Sequence, residues 1–129
     1  MKGALIGKRW LVVLLIALVS ACATDGANEE AAASPAAQEL AAGIKSYEAG
    51  KDADALRQLQ SSLKGELSGA EQVTAHKHLA FIHCAANRIA PCRDSFRQAL
   101  KIDPKFELTP AEIGHPVWGP VYRAVKSGR

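Results

Sequence analysis

Several signatures of catalysis are missing from this 129-residue chain. It has no Gly-rich phosphate loop, no GxSxG nucleophile turn and no HExxH metalloprotease helix. Its acidic residues are scattered, with no carboxylate pair at an identifiable cleft. The chain is therefore expected not to be an enzyme and to need no cofactor. Strand-like alternation of apolar and polar residues is also missing, which leaves an all-α fold as the expectation. The apolar run from Trp10 to Val19 is ten residues long, whereas a membrane-crossing helix needs about 20. A spanning segment is thereby excluded there.

What the N-terminus does contain is an address. Lys2, Lys8 and Arg9 form a positive region, and the Trp10–Val19 run follows it, as in a secretory signal peptide. The run closes on Val19-Ser20-Ala21-Cys22, which resembles the lipobox of bacterial lipoproteins. That resemblance implies cleavage after residue 21 and a diacylated, N-acylated Cys22. Several acyl chains together give stable anchoring where one alone binds only marginally. The residue after the cysteine is Ala23 rather than Asp, which by the sorting rule of that class implies the periplasmic face of the outer membrane. The alternative is an ordinary signal peptide followed by a chance cysteine.

Charge must be read after this segment is set aside. The full chain has 16 basic and 13 acidic residues. The three basic residues of the signal have no acidic neighbours, so the remainder is formally neutral. A basic patch or stripe of the kind nucleic-acid binding requires is not evident. Arg123, Lys126 and Arg129 are locally basic, as a solvated helix end would be. Residues 22–34 are Ala-rich, without large apolar side chains after Cys22, and read as a flexible tether. Residues 35–129 remain for one small folded domain.

Helical spacing organises that domain. Ser34-Pro35 is a helix start, and Ala37, Leu40, Ile44 and Tyr47 recur on one face before Gly50. Gly43 in the middle is a propensity defect of about 1 kcal/mol relative to Ala. A second helix runs from Asp52 to near Lys64, with Ala55, Leu56, Leu59 and Leu63 inward. Ser68-Gly69-Ala70-Glu71 is a capping-box pattern that opens a third. This third helix is apolar on two sides, along Val73, Ala80 and Cys84 and along Leu79, Ile82 and Ala86, and calls for neighbours on both. Asn87-Arg88 is its stop; the next helix has Pro91 in its first turn and ends at Asp103-Pro104. Thr109-Pro110-Ala111-Glu112 is another capping box, and Val117, Trp118, Val121, Tyr122 and Val125 form a last amphipathic helix, bent or restarted at Pro120.

The order Leu79, Ala80, His83, Cys92, Phe96, Ala99, Pro104 resembles a tetratricopeptide repeat (TPR), in which small residues let two helices touch and an aromatic plugs the groove. The resemblance covers roughly 34 residues, about one such period. Ala80 stands where that family usually has Gly, His83 where it has an aromatic, and Cys92 where it has Ala. Tyr47, Gly50 and Ala55 suggest a degenerate earlier copy. The expected architecture is thus about two TPR-like hairpins with a C-terminal capping helix. Trp118 and Tyr122 suit cap packing, with partner contact as the alternative.

Cys84 and Cys92 remain once Cys22 is lipidated, and an even pair in an oxidising compartment invites a disulfide. Two buried free thiols are the alternative. The spacing is not that of a CxxC redox catalyst. Of the four histidines, His76 and His83 share a helix face two turns apart, about 10 Å along the axis, too far to chelate one ion without help. His76 and His78 point to different faces, and no metal site is expected of the four, His115 included.

The stretch Phe106-Glu-Leu-Thr-Pro-Ala-Glu-Ile-Gly-His-Pro-Val-Trp-Gly-Pro120, after a TPR-like hairpin in a short lipoprotein, resembles the TssQ-type lipoproteins associated with bacterial type VI secretion. This implies an accessory role at an envelope-spanning assembly, with protein partners, and identifies no catalytic residues. A pilotin-like lipoprotein serving a secretin or pilus is a related alternative. A small-molecule or metal carrier using the histidines, or a periplasmic enzyme working with a partner subunit, is the alternative from another class.

Overall fold

Ser34 starts the first helix by its side chain: Oγ accepts the amide of Ala37 at 3.1 Å, and Pro35, which has no amide to satisfy, takes the first helical position. In the computed structural model, which describes residues 32–129, six helices follow in order. They are α1 (Pro35–Glu48), α2 (Asp52–Ser62), α3 (Gly69–Ala85), α4 (Ile89–Ile102), α5 (Pro110–Ile113) and α6 (Trp118–Lys126). No strand occurs among the described residues, and the fold is all-α. The signal segment, Cys22 and most of the tether lie outside the described residues.

α1 pairs with α2 and α3 with α4 as two hairpins, and α6 packs on α4 as α3 packs on α2. A shift of 37 positions carries the first hairpin onto the second. Gly50 and Asn87, related by that shift, are both left-handed, with φ of 70° and 58°. Each ends a helix in the conformation Gly tolerates freely and Asn better than most residues. Their successors match too: the Lys51 amide donates to Ser46 O and the Arg88 amide to His83 O, both at 2.8 Å. Ala55, Leu59 and Ser62 become Cys92, Phe96 and Ala99, and all six are buried. The internal repeat is therefore one of backbone and packing, with little residue identity.

The close-approach sites of the two hairpins are Gly43 and Ala80, also related by the shift. A Cβ on Gly43 would stand 2.8 Å from Leu59 Cγ and 3.2 Å from its backbone nitrogen. Gly43 is thus a contact between helices rather than a defect. Gly43→Ala gains about 1 kcal/mol of helix propensity against an overpacking cost of about 1–3 kcal/mol. A net loss of about 1 kcal/mol is expected in urea denaturation, and a raised midpoint would contradict this contact.

α3 is covered on both sides. Ala75, Leu79 and Ile82 join Leu40, Ala55 and Leu59 in one cluster. Ala80, Phe81 and Cys84 join Cys92, Phe96, Leu108 and Tyr122 in another. The α1 stripe differs by one position from the expected one: Ala36, Leu40 and Gly43 are buried, and Ala37 only half so. Ala36 and Ala37 are the same residue type, so composition could not distinguish them. α6 begins at Trp118 with Pro120 in its first turn, where a missing amide costs nothing; of the two expectations, a restart of the helix near Pro120 is the one seen.

Candidate docking groove

Capping sets the position of the site. The Ser68 hydroxyl accepts the Glu71 amide at 3.3 Å while the Glu71 carboxylate accepts the Ser68 amide at 2.7 Å. This opens α3 with the small residues Gly69 and Ala70. At the other end of the antiparallel partner, α4 finishes at Ile102, and Asp103 turns extended before Pro104. Between the first turns of α3 and this exit lies a cleft of about 460 Å³. Val73, Ile102 and Phe106 supply its apolar wall, and Thr74, Lys77 and Asp103 its polar margin.

Lys77 belongs to a second layer of structure as well. Its ammonium pairs with the Glu112 carboxylate at 2.7 Å, and the two side chains are only 20% and 22% exposed. Glu112 also closes the capping box of α5, accepting the Thr109 amide at 2.9 Å. Burial alone would push the Glu112 carboxyl up; the Lys77 bond and the Thr109 amide outweigh it and hold it below its ordinary value. One ion pair thus ties the cleft-lining face of α3 to the cap.

Aromatic packing continues the tie. Phe81 stacks on Trp118 with ring centroids 4.4 Å apart, and His115 stacks on the same indole at 3.4 Å. The Trp118 ring nitrogen donates to Glu112 O at 2.9 Å. Phe96 meets Tyr122 edge-on at 5.4 Å, and the Tyr122 hydroxyl donates to Phe106 O at 2.7 Å. The edge-on contact of Phe96 with Tyr122 suits the ring quadrupoles. Tyr122 is buried in the core, as cap packing requires, and is not available for the alternative role of partner contact. Trp118 is half-buried and engaged on both faces.

The other expected packing residues divide. Leu79, Ala80, Cys92, Phe96 and Ala99 are buried. Pro104 is exposed and contributes as a stop, having no amide to continue the helix, rather than as packing. His83, which stands where the repeat family usually has an aromatic, is half-buried, and its Nδ1 accepts from Arg88 Nε at 3.0 Å. Cys84 and Cys92 are joined as a disulfide, their Cα atoms 5.2 Å apart. His76, His78, His83 and His115 do not converge, and among the described residues no group of three or more His, Cys, Asp or Glu could hold a metal ion. Neither family models, nor curated proteins, nor solved structures yield a match to this chain.

Burial lowers the pKa of His76, His78 and His83, reinforced at His83 by the Arg88 charge. At His78 the Thr74 carbonyl and the Glu112 and Glu48 charges oppose burial, and Lys77 adds to it. The unfolded imidazoles bind protons near pH 6.5, where the folded ones resist them. Stability is therefore full above about pH 6.5 and falls as pH drops through that value toward the lower folded values. The denaturation midpoint at about pH 5.5, still above the carboxylate range, is expected below that at pH 7.5. His78→Gln should reduce the difference; equal midpoints in the parent chain would contradict buried neutral histidines.

Proposed function

We propose that this chain is a lipid-anchored, periplasm-facing helical-repeat adaptor that binds a protein partner in the α3/α4 cleft. The cleft carries the reading. It has an apolar wall and a charged margin, it is open enough for a peptide segment, and a repeat scaffold fixes its edges. The Ser20-Ala21-Cys22 sequence supports acylation of Cys22 and retention at the outer membrane. The likenesses to TPR hairpins and to TssQ-type lipoproteins support an accessory role at an envelope-spanning secretion assembly of type VI. Recognition, rather than catalysis, is the activity assigned.

The test is a crosslinking pull-down from intact cells with the lipidated chain, beside Cys22→Ser and Thr74→Arg. Thr74 lines the cleft and is half-buried, so a long cationic side chain there would obstruct it. Enrichment of secretion-assembly subunits, lost in both variants, is expected. Recovery of secretin or pilus subunits would replace the type VI assignment with a pilotin role. A partner set unchanged by Thr74→Arg would remove the cleft from the account.

A further inference from the structure

The cap has the outline of a third first-helix. α5 and α6 together occupy Pro110–Lys126, as long as α3, and both stretches open with a capping box. α6 lies on α4 as α3 lies on α2. In each complete hairpin, however, the first helix is covered by an antiparallel second helix; among the described residues nothing covers α6 in that way. Its outer side shows Val117, 40% exposed, together with Pro120 and the half-buried Ala124.

The relief of that side suits a helix. Two shallow grooves, of about 410 and 320 Å³, run on either side of a ridge made by Arg123 and Ser127. These residues are four apart, so the ridge follows an i±4 row, the commonest row on which two helices interlock. Pro120 and Ala124 floor one groove, and Tyr122 and Lys126 border the other. Lys126 is held by Glu107, so Arg123 and Arg129 dominate the charge facing outward. Arg123 is anchored, donating from Nη1 to Ile113 O at 3.1 Å. A helix lying antiparallel to α6 would bring its N-terminus to these arginines, and acidic residues in a first helical turn are favoured by the helix dipole.

We infer that the outer face of α6 is a second docking surface, which takes an amphipathic helix of a partner protein with acidic residues in its first turn. The helix stands where the second helix of a third hairpin would pack. This rests on the protein-binding reading above but uses a different face from the cleft.

The probe is a fluorescent peptide of about 16 residues, with Leu and Ala at i, i+3, i+4 and i+7 and Glu in its first turn, beside a version with Lys in place of Glu. Anisotropy with the full chain should show the Glu peptide binding about tenfold more tightly than the Lys peptide. Arg123→Glu with Arg129→Glu should reverse that order in a chain that still melts cooperatively, while Thr74→Arg leaves it intact. Absence of binding, or equal binding of both peptides, would overturn the proposal. Self-association of the chain abolished by the arginine variants would overturn it in favour of a second copy as occupant. Failure of the cleft reading registers separately, because only that reading depends on Thr74.

Discussion

Phe96→Ala is expected to lower the unfolding free energy by about 3–5 kcal/mol, the range for truncating a buried aromatic. Phe96 is completely buried. It touches Phe81 of α3, with ring centroids 6.2 Å apart, and Tyr122 of α6 at 5.4 Å. The cavity would therefore open where three helices meet, and the cap would lose one of its main supports. In a domain of this size each kcal/mol moves the melting temperature by about 4–8 °C, so the melt should fall by well over 10 °C. Ile89, 37% exposed on the same helix, provides the control: Ile89→Ala should stay within about 0.5 kcal/mol. A loss below about 1 kcal/mol at Phe96 would mean that the α3/α4/α6 junction is not packed around this ring.

The second large effect lies one helical turn away, at the closed end of the same hairpin. The Cys84–Cys92 bridge spans a sequence separation of 8, and closing so short a loop in the unfolded chain is worth about 2.5 kcal/mol in the chain-entropy account. Both cysteines are buried at the α3/α4 contact, so replacement by Ala leaves a small apolar residue in each place. Cys84→Ala with Cys92→Ala is expected to lose about 2–3 kcal/mol. Dithiothreitol should bring the parent chain to a similar midpoint and leave the double variant unmoved. A parent chain indifferent to reductant, with two free thiols by titration, would contradict the bridge. The tight turn at Asn87 already holds the helix ends together, which sets the effect at the lower part of the range for disulfides.

Local chemistry was legible in the sequence because it acts over three or four residues. The capping boxes at Ser68 and Thr109 and the stops at Gly50 and Asn87 stand where their residue types suggest. The two-sided apolar character of α3 foretold neighbours on both sides, and both clusters draw on it. Gly43 was misjudged because helix propensity describes the isolated helix, whereas the residue's role depends on Leu59, 16 positions away. Pro104 and His83 were placed by a family pattern of packing sites, but here one is exposed and the other only half-buried, bonded to Arg88.

The groove was the least legible part. Its residues come from the start of α3, the end of α4 and the connection at Phe106. No periodicity within one segment announces such a set. Lys77 and Glu112 lie 35 positions apart, and Glu112 already had a sufficient local role in its capping box. Trp118 and Tyr122, expected as cap packing with partner contact as the alternative, brace the cap. They act on the groove indirectly, by fixing α5 and with it the partner of Lys77.

The most direct test of the proposed partner binding in the cleft is a photo-crosslinker placed at Ala70, an exposed residue on the cleft margin, in the full chain expressed within intact cells. Covalent capture of a secretion-assembly subunit from Ala70, and not from an equivalent crosslinker at exposed Gln60 on α2, is the predicted result. Capture of the same subunit equally from both positions, or from Gln60 alone, would contradict the groove as the docking site.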